Sequence, residues 1–391
     1  MNTFEDGAYD ARRLKALEDQ GRAIKAAFAR AGYEAVEPAV IQPADVFLNR
    51  SGEAMRRQMF VFSDISGEEL CLRPEFTIPV CRIYLSQTKK KRAPMRLCYN
   101  GSVFRSEGAP VFKREFHQTG VEYIGDKNRE RADAEVLSLA IKAIKAAGLK
   151  EFQITVGSLQ LVWGFLEKLS LPAHWRARLR RHFSKPARFA GILESLASGA
   201  GSMDEKRRAI FTQVAGLNSE DARACVEDIF KREDISVLGG RSIEEIAERF
   251  LEQAADMKAS PLPPNTVTMI EDFLSIRGPL EPALARVEAL AARAEVVLDP
   301  EIKSFRRSLK GLKLPGGKPL LFAADLGRGI DYYTGFVFEL RALRGGKKSR
   351  QGPIASGGRY DRLLGDLGAA KALPAVGCAI HSERLLDTRR S

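Results

Sequence analysis

Apolar residues recur at helical spacing between Asp10 and Arg30, where Leu14, Leu17, Ile24, Ala27 and Phe28 share one broad face and Gly32 supplies a stop. The pattern predicts a helix that enters the core. A short extended element follows between Pro38 and Pro43, because proline biases the residue before it away from helix. Arg96 to Arg105 and Glu115 to Gly125 read as strands, and the loop between them carries Gly108 and Pro110, which predicts an antiparallel pair. Val136, Ala140, Ala143, Ile144 and Ala147 mark a second amphipathic helix over Asp133 to Ala147, closed by Gly148. Phe152, Ile154 and Val156 then alternate as a strand.

From Ser158 to about Gly316 the texture becomes arginine- and alanine-rich, with helical segments broken at Pro172, Pro186, Gly199, Gly201, Gly239 and Pro261 to Pro264. Strand patterns return at Leu320 to Ala324, Tyr332 to Leu340 and Pro353 to Gly358, and a closing strand and short helix span Ala375 to Leu386. The reading is an α+β protein, an antiparallel sheet with flanking helices. Residues 1–157 and 317–391 would form its core, and 158–316 a helical insertion domain.

A chain of 391 residues is long enough for two units. With 45% hydrophobic and 29% charged residues, and no run long enough to span a membrane, it reads as soluble and globular. The acidic start M-N-T-F-E-D-G lacks the features of a signal peptide, so the expected location is cytoplasmic. The five cysteines form no C-x-x-C pair, which points to neither a disulfide framework nor a cysteine metal site. A net charge of +12 gathers in Lys89 to Arg92, Arg176 to Arg188 and Arg341 to Arg350. None of these runs interleaves the aromatics of a base-stacking surface, so they read as solvated faces and nucleic acid is not the expected partner.

Four segments put charged or glycine residues where buried strands are otherwise predicted, which is costly unless a ligand or partner satisfies them. They are Leu72 to Thr77; Phe104 to Glu107 with Phe116 to Glu122; Gly327 to Gly335; and Ser356 to Asp361. A period of two places Gln118, Gly120 and Glu122 on one strand face, the glycine leaving room between two polar arms. Arg328 between two glycines can bring a planar guanidinium up to a carboxylate. Each segment alone has an ordinary reading: Arg105 paired with Glu122, or Gly357 and Gly358 in a turn. Their joint occurrence favours a binding site.

In this order, with the closing A-V-G-C-A-I-H-S-E-R-L-L, these segments resemble the class II aminoacyl-tRNA synthetase motifs and the two histidine-specific motifs of histidyl-tRNA synthetases. G-I-D-Y-Y-T-G-F-V-F-E and G-G-R-Y-D are the most specific of them, and the resemblance covers Asp10 to about Gly157 and Phe322 to Leu386. It implies that Glu75, Thr77 and Gln118 hold the α-amino group of histidine, Arg328 its carboxylate, and Glu122 with Tyr333 its imidazole. Arg105 and Arg384 fall at phosphate-binding positions, Arg105 within reach of the histidine carboxylate as well.

Against that background three features depart from the family. Phe76 replaces a glycine inside R-P-E-G-T, the Gly108 to Lys113 loop is apolar where synthetases are basic, and His381 stands where the family keeps glycine. Ala375, Gly377 and Ala379 share the face assigned to His381, so the imidazole would project into the space that those small residues leave. Alone, His381 reads equally as a satisfied structural histidine; with the other departures it implies loss of adenylation. An anticodon-binding domain is expected after Arg384, whereas only Asp387 to Ser391 follow Leu386.

This combination is similar to the regulatory subunits of ATP phosphoribosyltransferase. The resemblance implies a non-catalytic, cytoplasmic chain without cofactor or metal, whose partner is the short-form catalytic subunit in the first step of histidine biosynthesis. A homodimeric core, formed around Gly32 to Pro43, within a hetero-oligomer and histidine as effector are further implications. Consistently, no strand ends in paired acidic residues before the small-residue and threonine loop that a phosphoribosyl pyrophosphate site needs, and Val297 to Pro300 reads as a turn before a helix. Two alternatives stay open: a histidyl-adenylate-forming enzyme without the anticodon domain, and a free histidine sensor.

Overall fold

The computed structural model describes residues 9–48, 55–56, 58–87, 94–106, 114–198, 211–232, 243, 246–247, 250–251, 254–255, 262–312, 314, 319–343 and 352–389. The Lys89 to Arg92 run, most of the Arg341 to Arg350 run, the Gly108 to Lys113 loop and Gly316 lie outside them. The chain divides into two compact units: residues 1–170 with 272–391, and residues 171–271.

In the larger unit, helix α1 (Ala11–Arg30) begins where the Asp10 carboxylate accepts the Arg13 amide at 2.6 Å and buries Gln20, Gly21, Ile24 and Phe28. Strands β1 (Glu34–Ala35) and β2 (Ile41–Pro43) follow, then the short helix α2 (Asp45–Leu48), β3 (Val61–Ser63), β4 (Glu69–Leu72) and α3 (Thr77–Gln87). The expected antiparallel pair is β5 (Met95–Phe104) and β6 (Glu115–Ile124), and the second amphipathic helix is α4 (Arg129–Ala146), leading to β7 (Phe152–Ser158) and α5 (Leu159–Lys168).

After the smaller unit come β8 (Arg277–Pro279), β9 (Leu321–Ala323), β10 (Phe336–Ala342), β11 (Ala355–Arg359) and β12 (Ala375–His381). The nine-stranded sheet runs β1-β5-β6-β12-β11-β10-β7-β9-β8, antiparallel except for the β1–β5 and β7–β9 pairs, and β2-β4-β3 form a separate small sheet. The α+β reading therefore holds.

Alternation along β5 and β6 sorts their side chains. One face turns Met95, Leu97, Tyr99, Val103 and Ile124 into a core shared with α3 and the small sheet. The other face carries Asn100, Thr119 and Tyr123 toward α1, where Tyr123 meets the Tyr33 ring edge-on at 6.5 Å.

The expected insertion, 158–316, is wider than the smaller unit, 171–271. Gly164 of α5 lies against Leu298 and Glu301, and Lys168 pairs with Glu301 at 2.7 Å. The helix that begins at Asp299 (Asp299–Ser308) in turn places the Ser308 hydroxyl 2.9 Å from Asp133 of α4. Amphipathic pattern marks a face for burial without saying which core receives it, so pattern alone groups these flanks with the insertion. The smaller unit builds its own core on Val214, Ala222, Val226 and Ala247, with Phe230 and Phe250 packed against it. Among the described residues no helix is long and apolar enough to cross a membrane.

Candidate functional site

The β5–β6–β12 register sets the site. Gly377, Ala379 and His381 of β12 stand opposite Glu122, Gly120 and Gln118 of β6, as period-two reasoning requires. A Cβ on Gly377 would fall inside the Glu122 carboxylate, and one on Gly120 would overlap the Tyr99 hydroxyl. The small residues of β12 thus make room for a carboxylate from the neighbouring strand. Gly377→Ala is expected to displace Glu122 and cost about 1–3 kcal/mol, as overpacking does; thermal unfolding measures it, and an unchanged midpoint would mean that the carboxylate relocates freely.

Glu122 is 1% exposed and accepts from three hydroxyls: Thr77 at 2.8 Å, Tyr99 at 3.4 Å and Tyr360. Burial, aggravated by the neighbouring charge of Glu75, still pushes its carboxyl up to about 8. Glu75 is held differently: its two oxygens accept the Thr77 and Ile78 amides at 2.7 and 2.8 Å, tying down the first turn of α3. Burial raises its pKa as well, those amides opposing the rise. Two buried carboxylates facing one another favour a cationic group between them, because it would relieve both.

Tyr333 packs under Gly358, and Tyr332 meets the rings of Tyr333 and Tyr360 at 5.5 and 5.9 Å. Glu122 is among the charges acting on Tyr332, Tyr333 and Tyr360 alike. Gly357 and Gly358 belong to β11 rather than to a turn, and a Cβ on Gly357 would strike the Gly377 carbonyl. Gln118 is 9% exposed, flanked in register by Gly101 and His381. Arg328 follows Gly327, whose φ of +87° suits glycine, and Asp325 offsets part of the burial of its guanidinium.

Arg105 donates from Nε to the Pro74 carbonyl at 3.0 Å, so the alternative Arg105–Glu122 ion pair is not formed. Glu75 offsets part of the burial of Arg105, and Arg105 with Arg341 are the charges that, after burial, depress the Arg384 guanidinium. Arg384 reaches the Pro353 carbonyl at 3.1 Å across Gly352, which has no side chain to block it.

Beside these guanidiniums the His381 ring stacks on Phe116, centroids 4.6 Å apart and planes 10° from parallel. Glu383 holds this arrangement: it accepts the His117 amide at 2.9 Å and the Tyr9 hydroxyl at 3.2 Å, and faces His117 Nδ1 and His381 Nδ1 at 3.4 Å each. Burial lowers the His381 pKa, and a neutral imidazole is the form that stacks there near neutral pH.

Phe76 lies beneath Gly101, opposite Gln118. It is fully buried, stacked on Tyr99 at 4.3 Å and covered by the Arg73 guanidinium at 4.2 Å, so it belongs to the core under the sheet. Tyr99, Phe116, His117 and Glu383 carry the site without having been assigned roles from sequence. The first could have been found from the register, where Tyr99 stands opposite Gly120.

The histidyl-tRNA synthetase family matches residues 8–228 and 240–385 of the chain. Solved relatives share the fold: an ATP phosphoribosyltransferase regulatory subunit/histidyl-tRNA synthetase from Bacillus halodurans (TM-score 0.67, 23% identity, covering 100% of this chain and 84% of that one), and histidyl-tRNA synthetase from Nostoc sp. PCC 7120 (0.63, 17%, 99% and 74%). In sequence, the chain is 37% identical over 358 residues to the ATP phosphoribosyltransferase regulatory subunit of Chelativorans sp., covering 90% of this chain and 92% of that one. It is 35% identical over 374 residues to the protein of the same name from Mesorhizobium japonicum, covering 93% and 95%. On this histidyl-tRNA synthetase-like core, the chain belongs to the family of ATP phosphoribosyltransferase regulatory subunits.

Proposed function

We propose that the chain is a non-catalytic cytoplasmic subunit that a short-form ATP phosphoribosyltransferase needs for activity, and that it carries histidine feedback on the first step of histidine biosynthesis. One observation carries the reading: Glu122 is a buried carboxylate ringed by the Thr77, Tyr99 and Tyr360 hydroxyls, while the flat Phe116 face beside it is filled by the chain's own His381. An imidazole already stacked there competes with any planar base for the same surface.

In this reading Glu75, Thr77 and Gln118 receive the α-amino group, Arg328 and Arg105 the carboxylate, and Glu122 with Tyr333 the imidazole. An ammonium is suited to paired carboxylates and a carboxylate to a guanidinium. Feedback requires that histidine bind two states of the complex with different affinity, and the coupling is then reciprocal. Ile41 and Phe62, both more than one-third exposed, share one face of the small sheet, which suits it to a homodimer around Gly32 to Pro43.

Mixing the chain with a short catalytic subunit that is inactive alone tests the proposal. Phosphoribosyl transfer should appear and be inhibited by histidine; no restored activity ends the reading. The rival, histidyl-adenylate formation, draws on the retained Arg105 and Arg384, and predicts histidine-dependent exchange of pyrophosphate into ATP. The regulatory reading predicts none. His381→Gly is expected to uncover Phe116 and raise ATP affinity by on the order of tenfold, the worth of one aromatic stack. Equal ATP affinity in both forms, read by equilibrium dialysis, would show that the imidazole is not the obstruction.

A further inference from the structure

A second cavity, about 350 Å³, lies on the opposite side of β5 and β6 from Glu122. Its walls come from one stripe of α1, with Leu14, Leu17, Gly21 and Lys25, from Asn100 and His117 on the strands, and from Ser382 just after β12. None of Glu75, Thr77, Gln118, Glu122, Arg328 and Tyr333 lines it, whereas Tyr9 and His117, both in contact with Glu383, do.

Gly21 sits in the middle of a 20-residue helix, where glycine is less favourable than alanine. Packing does not demand it: a Cβ there would meet only the Asn100 carboxamide, nearest atom Oδ1 at 3.5 Å, an ordinary contact. What the glycine does is keep open the space above Asn100.

The polar groups around that space are mostly donors. Asn100 Oδ1 already accepts the Thr119 hydroxyl at 2.5 Å, so its amide nitrogen is what remains, and it has no partner among the described residues. His117 turns Nδ1 to Glu383, leaving Nε2 as an acceptor on the neutral ring and a donor on the protonated one. Arg22 and Lys25 stand exposed in the lining, Arg22 paired with Asp19 at 3.0 Å, and Glu18 is the single carboxylate of the lining. Amide, guanidinium and ammonium donors at one side, with Leu14 and Leu17 at the other, suit a ligand with an acceptor-rich anionic group and a compact apolar body.

We infer that this cavity is a second binding site, for a small organic anion of amino-acid to nucleoside size. It stands apart from the proposed function, since no histidine-pocket residue contributes to it.

Titrating the full-length protein with benzoate and with phenyl phosphate, followed by NMR and calorimetry, tests the inference. Saturable binding of at least one probe, with a millimolar or tighter Kd, is expected, and the preferred probe distinguishes a carboxylate from a phosphate ligand. Gly21→Leu should weaken it by on the order of tenfold or more by filling the space, and Lys25→Glu should weaken it by reversing charge at the mouth. Gly21→Ala guards against misfolding: affinity should fall while the unfolding midpoint stays equal or rises. No saturable binding of either probe, equal affinity in Gly21→Leu, or a binding loss in Gly21→Ala that tracks a fall in the midpoint would each overturn the assignment.

Discussion

Arg359→Ala is expected to destabilise the larger unit by about 3–5 kcal/mol, the cost of leaving a buried charge without its partner. Arg359 is 2% exposed and ties its own segment to helix α4. Its Nε and Nη2 reach Asp133 Oδ1 at 2.9 and 2.7 Å, Nη1 reaches Asp361 at 2.8 Å, and Nη2 also meets the Arg129 carbonyl at 2.8 Å. Asp361 in turn accepts the Ala375 amide at 3.0 Å, so the network fixes the start of β12 beside Tyr360 and Glu122.

The pH dependence has a definite sign. Burial holds the Asp133 carboxyl up to about 6 even beside Arg359. A folded pKa above the unfolded value near 3.8 means stability that is present below 3.8 and lost as pH rises through 6. Without Arg359 the carboxyl rises further, so the deficit of the variant should be small at pH 5 and largest at pH 8. Chemical unfolding of both proteins at the two pH values measures this. A deficit below about 1 kcal/mol at pH 8 would place the pair among ordinary surface bridges.

Glu122→Gln is expected to lower histidine affinity by roughly 10- to 100-fold, since a hydrogen bond to a charged group contributes about 1.5–3 kcal/mol. Its effect on the empty protein should be the reverse. With the folded carboxyl near 8 and an ordinary value of 4.5, Glu122 favours the fold at acid pH, and that contribution disappears as pH rises from 4.5 through 8. The amide has nothing to ionise, so the variant should show a flatter stability profile and match or exceed the native protein above pH 8. A histidine ammonium on Glu75, with its imidazole against Glu122, would also favour the ionised form, which predicts proton release on binding near pH 7. Calorimetry in buffers of different ionisation enthalpy reads that release. A binding heat independent of buffer would mean that Glu122 does not change its protonation state, and undiminished affinity in the variant would exclude it as a contact.

Much of the site was legible because strand alternation is a strict rule. Gln118, Gly120 and Glu122 fall on one face, and Ala375, Gly377 and Ala379 form the small-residue face of β12. The order of the motifs carried the α+β fold for the same reason: they are local in sequence. Pro300, placed in the first turn of its helix, made the turn at Val297 readable too.

Partners were not legible. Alternation says that Gly377 faces a neighbour, and only the β6–β12 register makes that neighbour the Glu122 carboxylate. The sequence marks His381 as out of pattern; its rest on Phe116, with Glu383 beneath, follows from packing among residues brought together across β6 and β12. Phe76 went to the core because its ring finds Tyr99 and Arg73, which lie on different elements. Arg359 and Asp133 are 226 residues apart, and no local pattern pairs them. Local periodicity therefore determined the elements and which face each residue occupies, while tertiary structure decided what each face meets, because a buried charge is satisfied by whichever group the folded chain brings to it.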